Sequence, residues 1–435
     1  DRSENPFEDR RMLNQVPLVR KARGAYYGWW VLGATFVLGV LSGGIFSHSN
    51  AIFFGPIKRD LGLNSAQTSL IFSLVRAEGS FAGPIVGRFV DKFGARPMII
   101  FGGLLASAGF MALSWVHSYV LFVVIFVGMV GVGKSSGLGQ VLISAVNRWF
   151  IRRRSLAMSI CITGFASGGA VLLPLISIGV STIGWRDVML YSGIFMAVIV
   201  VPLALLVRHS PEQMGIEPDL LRPEDDTATQ TSLVDFTVRQ ALRTRSYWIL
   251  FTGSVLRITM WGAISVHAVE MFVWKGMSQG EAGLMFSLMF FLSIPMRLAA
   301  GYLGDHIPLQ PMMAGGMVAA GLAVVAMLVM DGNTAVYLFV VLMAVEQGGS
   351  TLNWVALGNF FGRTSFATLM GIISTAFNLG MLVSPIYAGY MFDRTSSYTV
   401  VLISFLPIYL ASGVFFLMTR KPEAPVSTRT PVYGR

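Results

Sequence analysis

Charged side chains are scarce in this sequence: Asp, Glu, Lys and Arg together make up 12% of its 435 residues. A soluble globular domain carries about twice that fraction. The apolar residues stand in long blocks, such as 31–40, 118–132 and 188–207. A helix needs about 20 mostly apolar residues to cross a bilayer. The composition therefore excludes a soluble protein and indicates a membrane protein with several spans.

Cysteine is almost missing too, and so are clusters of reactive side chains. The single Cys161 excludes an internal disulfide and lies inside an apolar run. No set of His, Cys and carboxylate residues has the spacing of metal ligands, and no Ser–His–Asp or Cys–His set stands outside the apolar blocks. Residues 128–135 match the phosphate-loop pattern, but they lie inside an apolar block. We therefore predict no enzyme activity, no metal and no cofactor.

The apolar blocks predict an all-α integral membrane protein with twelve transmembrane helices. The predicted spans are 28–57, 67–90, 97–115, 119–147, 155–181, 187–207, 246–272, 280–304, 311–330, 335–360, 365–391 and 398–418. A polar stretch rich in proline and acidic residues separates the sixth span from the seventh. The chain then divides into a tail at 1–27, a six-helix half at 28–207, a linker at 208–245, a second half at 246–418 and a tail at 419–435.

The net charge of +10 is explained by orientation and not by a nucleic-acid partner. Lys and Arg are concentrated in the segments on one side of the predicted spans, which is the bias of cytoplasmic loops. With an even number of spans, both termini are then expected in the cytoplasm. The first apolar block lacks a cleavage site and is interpreted as a retained helix. The short loops favour a prokaryotic inner membrane, and we expect a monomer surrounded by lipid.

An internal repeat supports the division into two halves. Residues 63–74 read LNSAQTSLIFSL and residues 277–288 read MSQGEAGLMFSL, at an offset of 214. At the same offset, Gly87 and Asp91 correspond to Gly301 and Asp305. Two parallel halves of this kind are related by a pseudo-twofold axis along the membrane normal.

Residues 87–96 read GRFVDKFGAR, which resembles the loop motif G-x-L-A-D-[RK]-x-G-R-[KR] of the major facilitator superfamily. The resemblance implies a gating motif that latches the two halves together. Its residues here are Gly87, Arg88, Asp91, Arg96 and, in the second copy, Asp305. That second copy has no basic residues.

A second resemblance narrows the family. Residues 149–164 read WFIRRRSLAMSICITG, which is similar to the monocarboxylate porter signature Y-F-x-[KR]-[KR]-x-L-A-x-G-x-A-x-A-G. The segment YYGWWV at 26–31 resembles the entry of oxalate:formate antiporter relatives. Both resemblances imply a secondary transporter that moves a small organic anion by alternating access.

Six charged residues fall inside the predicted spans, away from the ends: Arg76, Glu78, Lys134, Arg257, Arg297 and Glu346. A charge at the bilayer centre costs about 3 kcal/mol on insertion scales, so each one marks a candidate functional site. Four cations against two anions leave an excess of positive charge. A carboxylate suits an arginine fork, so we predict an organic anion, in particular a monocarboxylate, as substrate.

The four cations are the candidate substrate ligands, each with an alternative. The resemblance implies that Arg297 holds the substrate carboxylate, although Ser293 stands where those porters often have an aspartate; it could instead be a packing arginine. Arg257 faces the substrate or pairs with Glu346. Lys134 binds the substrate or pairs with Glu78. Arg76 and Glu78 point to different faces of one helix.

The candidates for proton coupling are Glu78, Glu346, His48 and His267. Burial moves a carboxyl pKa toward neutrality, and histidine titrates near physiological pH. The alternatives are permanent counter-ions for the two glutamates and packing roles for the two histidines. The transport mechanism could be proton symport or exchange against a counter-anion. A drug or neutral-solute exporter of the same fold and a membrane sensor that transports nothing remain as alternative functions.

Overall fold

The computed structural model describes residues 26–63, 65–214 and 235–423, and twelve long helices account for most of them. Three helices are interrupted: α1 (Gly28–Leu41, a π-helical segment Ser42–His48, then Asn50–Asp60), α4 (Tyr119–Ile125, a π-helical segment Phe126–Gly131, then Val132–Gly137 and Gln140–Trp149) and α10 (Gly332–Gly348, a 3₁₀ turn Gly349–Thr351, then Leu352–Phe361). The uninterrupted ones are α2 (Ser65–Phe93), α3 (Ala95–Leu113), α5 (Arg154–Ile183), α6 (Trp185–Leu206), α7 (Arg245–Trp274), α8 (Gln279–Leu303), α9 (Leu309–Val329), α11 (Phe366–Thr395) and α12 (Thr399–Met418).

The predicted spans coincide with these helices, and their ends differ by a few residues. Within the described ranges, eleven of the helices are long and apolar enough to cross a membrane. The remaining helix, α2, has 29 residues, and five of them are charged. The prediction of an all-α fold with twelve transmembrane helices is confirmed.

The interruptions in α1, α4 and α10 were not predicted. Each contains glycine, which destabilises a regular helix because it gains no side-chain packing and loses the most backbone entropy. The π-helical segments in α1 and α4 contain Gly43, Gly44, Gly128 and Gly131. Such segments shift the register of the residues that follow and are frequent at functional sites.

The two halves meet along two helix pairs, α2 with α11 and α5 with α8. Glycine allows both approaches. A Cβ added to Gly371 on α11 would lie only 2.3 Å from the carbonyl oxygen of Gly83 on α2. On the other pair, a Cβ added to Gly301 on α8 would lie 2.5 Å from the Cβ of Ser159 on α5. The pseudo-symmetry expected from the repeat is therefore seen in the packing between the halves.

We expect Gly371→Ala to weaken the α2–α11 contact by about 1–3 kcal/mol, because the new methyl group meets backbone that cannot rotate away. The measurement is the thermal unfolding midpoint of the purified protein in detergent. Gly315→Ala on α9 is the matched control, since no atom lies within 4 Å of its added Cβ. Equal midpoints for both variants would contradict the close packing of α2 and α11.

Candidate functional site

At one end of the bundle, Asp91 joins the two halves. Its carboxylate accepts hydrogen bonds from the backbone N–H groups of Ala367 (3.2 Å) and Thr368 (2.9 Å) and from the Thr368 hydroxyl (2.6 Å). These groups belong to the first turn of α11, where the helix dipole favours a negative charge. Asp91 therefore caps a helix of the other half. We name the end of the bundle that carries Asp91 and Asp305 the latch end.

The second copy of the motif makes the equivalent contact. The Asp305 carboxylate accepts hydrogen bonds from the backbone N–H groups of Ser155 (2.8 Å) and Leu156 (3.2 Å), in the first turn of α5. Neither bond involves a basic side chain, so the loss of basic residues from the second copy does not prevent the contact. Arg88 is exposed and Arg96 is half-buried on the first copy. Gly87 lies against Ala367, where an added Cβ would clash with backbone.

Further polar residues at the latch end were not predicted from the sequence. Arg148 lies 3.6 Å from Asp91 and donates a hydrogen bond to His209 Nε2 at 3.0 Å. Arg363 of the other half donates to the carbonyl of Arg148 (2.9 Å) and pairs with Glu212 (2.8 Å). Burial lowers the pKa of His209, and the charge of Arg148 lowers it further. The ring is thereby kept neutral and able to accept the bond from Arg148.

A central cavity of about 370 Å³ lies between the halves. Lys134 lines it from α4 in the first half, and polar Ser374 and Asn378 line it from α11 in the second. Trp354 of α10 adds an aromatic wall and packs against Phe377. Pockets for small ligands have volumes of this order, with apolar walls and a few polar groups.

Lys134 lies in one electrostatic cluster with two other predicted residues. Its charge acts on both Glu78 of α2 and His48 of α1. Glu78 is half-buried, and its Oε2 accepts a hydrogen bond from the Ser135 hydroxyl at 2.9 Å. His48 is exposed. The structure thus places Lys134 on the wall of the cavity and bonds Glu78 to the next residue of α4.

A separate cluster lies inside the second half. Arg257 donates a hydrogen bond to Glu346 Oε1 at 2.8 Å, and these residues are only 5% and 1% exposed. Arg297, 7% exposed, donates a long hydrogen bond of 3.5 Å to the carbonyl of Gln347. Its charge interacts with the charges of Arg257 and Glu346. Of the two predicted alternatives for Arg257, the structure shows the pair with Glu346. Two arginines and one glutamate leave this cluster with a net charge of +1.

This second cluster is incompletely hydrogen-bonded within the described part of the chain. The Nε atoms of Arg257 and Arg297 have no acceptor there, and neither side-chain atom of Asn353 has a partner. A small cavity of about 10 Å³ beside Arg257, Glu346 and Asn353 has room for about one water molecule. The sequence gives only a weak signal for Asn353, because a single asparagine in an apolar run does not indicate one particular role.

The remaining predicted residues lie elsewhere. His267 bridges three helices of the second half: Nδ1 lies 3.1 Å from the Tyr398 hydroxyl and Nε2 lies 3.0 Å from the carbonyl oxygen of Pro385. Both ring nitrogens are therefore occupied, as expected for a packing histidine. Arg76 lies on α2, but its side chain is outside the described part of the structure.

Comparison with known proteins gives consistent results. A family model described as Major Facilitator Superfamily matches residues 35–274 and 250–433. Human monocarboxylate transporter 11 is 25% identical over 392 residues, which is 86% of this chain and 79% of that protein. Monocarboxylate transporter 2 of Mesocricetus auratus is 23% identical over 407 residues, covering 90% and 84%. The resemblance to monocarboxylate porters is confirmed.

Two further similarities extend the comparison. The oxalate:formate antiporter of Oxalobacter formigenes is 28% identical over 226 residues, about half of each chain (52% and 51%). Among solved structures, the transporter FucP in the outward conformation superposes with a TM-score of 0.70 at 15% identity, covering 90% of this chain and 99% of that one. The structural similarity establishes the fold alone.

We expect Asp91→Asn to lower stability, because the Asp91 carboxylate accepts three hydrogen bonds from the first turn of α11. A hydrogen bond to a charged group contributes about 1.5–3 kcal/mol, and the amide retains part of it. The measurement is the thermal midpoint in detergent. Asp393→Asn, exposed at the end of α11, is the control. An Asp91→Asn midpoint equal to that of this control would refute the capping contact.

The buried pair gives a second expectation. Glu346→Gln should destabilise the fold by about 3–5 kcal/mol, because it leaves two buried arginines without a counter-ion. Combined with Arg257→Gln, it should cost less than the sum of the single substitutions, since the neighbours are coupled. Urea or thermal unfolding of all four proteins measures this difference. Additive losses would mean that Arg257 and Glu346 do not interact.

Proposed function

The chain belongs to the Major Facilitator Superfamily, and from that premise we propose that it is a secondary active transporter of a small organic anion, in particular a monocarboxylate. Its relatives include proteins named as monocarboxylate transporters and an oxalate:formate antiporter. At identities of 23–28%, these names indicate a class of substrate. The assignment to this chain rests on its own residues.

The observation that carries the proposal is Lys134 on the wall of the cavity between the halves. The cavity's volume of about 370 Å³ suits a small organic acid. The ammonium group supplies the charge for a carboxylate, and Ser374 and Asn378 supply polar groups from the opposite wall. A substrate held between Lys134 and α11 would contact both halves at once, which is the arrangement that alternating access requires.

The second-half cluster supports the same charge preference. Arg257, Arg297 and Glu346 carry a net charge of +1 in a medium of low dielectric constant, where electrostatic interactions act over longer distances than in water. A drug exporter for cations would be disfavoured by this field. Arg297 and Arg257 therefore favour an anion in the bundle whether or not either touches it.

The conformational change of the proposed transport cycle requires the latch contacts to break. Asp91 and Asp305 join the halves at the latch end, so the substrate enters from the opposite end in this conformation. Moving the substrate to the latch end requires both carboxylates to leave the helix N-termini of α11 and α5. Because the contacts are pseudo-symmetric, one rocking motion of the halves breaks both. We assign the latch end to the cytoplasm of a prokaryotic inner membrane, from the distribution of basic residues.

The proposal is tested by uptake into proteoliposomes of labelled lactate, pyruvate, formate and oxalate, each with and without an inward proton gradient. We expect uptake of at least one monocarboxylate. Lys134→Gln should reduce it by about 10-fold or more, as expected for loss of a charged ligand contributing 1.5–3 kcal/mol. Arg297→Ala and Arg257→Ala are measured beside it.

Arg59→Gln serves as the control, because Arg59 is an exposed cation at the far end of α1. Uptake that requires only an anion preloaded inside would establish exchange, and uptake driven by the gradient would establish proton symport. Transport of a neutral sugar but of none of the carboxylates would refute the proposal. Carboxylate uptake that is indifferent to Lys134 would refute the assigned site.

A further inference from the structure

A second cavity of about 370 Å³ lies between the start of α7 and the end of α12. It is separate from the central cavity, because the two have no lining residue in common. Arg243 and Arg245 supply two cations to its walls. The apolar part of the walls includes Trp248, Ile249 and Phe415. The cavity therefore combines a pair of positive charges with an apolar surface.

The two arginines at this cavity are available to a ligand. Both are exposed, and no described acidic side chain forms an ion pair with Arg243 or Arg245. The neighbouring Thr244 hydroxyl is already bonded: it donates to the carbonyl of Ala241 at 2.7 Å and accepts from the backbone N–H of Tyr247 at 3.2 Å. Arginine presents a fork of donors that matches the oxygens of a phosphate group. The charged wall is therefore suited to a phosphate.

Trp248 forms the apolar wall next to these cations. Its indole Nε1 donates to the carbonyl of Leu242 at 2.8 Å, and its ring packs edge-on against Phe251 with the centroids 5.2 Å apart. The residue is nevertheless 48% exposed. A half-exposed tryptophan near the end of a membrane helix is typical of the interface between lipid and water. The cavity therefore lies at the level of the lipid headgroups.

The α12 side of the cavity borders a lipid-facing surface. The exposed apolar residues of α12 near its end are Leu410, Val414, Leu417 and Met418. Their spacing places them on one face of the helix, next to Phe415 of the cavity wall. An occupant of the cavity is then in contact with the bilayer along α12. This contact favours a lipid over a soluble anion.

The depth of the cavity also fits a lipid. Thr252 lines it seven positions after Arg245, so at a rise of about 1.5 Å per residue the cavity follows α7 for about 10 Å. The headgroup region of one leaflet is about 5–8 Å thick. The Tyr247 hydroxyl donates to the carbonyl of Leu369, the neighbour of Thr368 in the latch contact. The cavity therefore starts at the latch end and reaches the upper part of the acyl chains.

We propose that this cavity binds an anionic phospholipid, with the phosphate between Arg243 and Arg245 and the glycerol and upper acyl chains along Trp248 and Phe415. With the latch end in the cytoplasm, the cavity faces the leaflet whose anionic lipids attract basic segments close to the bilayer. Basic pockets between transmembrane helices on that side bind such headgroups in other membrane proteins. The site is separate from the central cavity, so the inference holds whichever substrate the chain carries.

The test titrates the delipidated protein in detergent with dioleoyl phosphatidylglycerol, with dioleoyl phosphatidylcholine and with inorganic phosphate. The measurement is the thermal unfolding midpoint, because a ligand that binds the folded state raises it. Wild type is compared with the double variant Arg243→Gln/Arg245→Gln and with Arg239→Gln. Arg239 is the matched control, because it is an exposed cation on the short helix Val238–Leu242 before α7 and does not line the cavity.

We expect phosphatidylglycerol to raise the midpoints of wild type and Arg239→Gln at about the same lipid concentration. The double variant should need about 25-fold more of this lipid, because each arginine close to an anionic bilayer surface contributes about fivefold in affinity. Phosphatidylcholine should act equally on all three proteins. Inorganic phosphate should leave all three midpoints unchanged.

A second measurement locates the lipid at the cavity. The fluorescence of Trp248 is obtained as the difference between a protein and its Trp248→Phe variant, in vesicles with increasing fractions of brominated phosphatidylglycerol or brominated phosphatidylcholine. Bromine quenches a tryptophan that it contacts. We expect Trp248 to be quenched at a lower fraction of phosphatidylglycerol than of phosphatidylcholine, and the double arginine variant to lose this preference. Equal quenching by both lipids in wild type would contradict the inference.

Three results of the titration would also overturn the inference. Equal phosphatidylglycerol requirements of wild type and the double variant would exclude the two arginines as ligands. Equal stabilisation by inorganic phosphate would make the cavity a site for a soluble anion. In lipid-free detergent, a lower midpoint for the double variant than for Arg239→Gln would show that a group of the protein, and not a lipid, holds the arginines.

Discussion

The cost of placing a charge inside an apolar helix bundle determines where the functional residues of this protein lie. Each such charge must find an opposite charge, hydrogen-bond donors or water. The described charged side chains in the middle of the helices satisfy this requirement in two different ways. Arg257 and Glu346 form a pair sealed within the second half, whereas Lys134 and Glu78 lie beside a cavity between the halves.

The cost of burying a charge also explains the contacts of Asp91 and Asp305 at the latch end. Asp91 and Asp305 are carboxylates in the interface between the two halves. Backbone N–H groups at helix N-termini give both carboxylates the positive end of a helix dipole, and Asp91 has Arg148 at 3.6 Å in addition. In the proposed transport cycle, the carboxylate and the N–H groups can both reach water when the halves separate, so neither remains buried without a partner.

The sequence predicted the helices well and identified the two copies of the motif whose aspartates contact the opposite half, because both leave a local signal. Apolar blocks of sufficient length identify spans, and the offset of 214 places Gly87 with Gly301 and Asp91 with Asp305. Contacts between residues on different helices were harder to predict. Glu346 was one of two alternatives for Arg257, and nothing in the periodicity of α7 shows which helix faces that residue. Ser135, Asn353 and His209 were missed because a single polar residue carries no pattern of its own.

The two charge clusters also show why residue type alone cannot separate a structural pair from a working one. Each contains a glutamate and a basic residue, and each lies near the middle of its helices. They differ in access to the cavity. A pair sealed on all sides cannot exchange its partner for a substrate or a proton without moving a bare charge through a low-dielectric medium. A pair at the edge of a water-accessible cavity can, because its members can be solvated as they separate. Access therefore separates the sealed Arg257–Glu346 pair from Lys134, which a ligand in the cavity can reach.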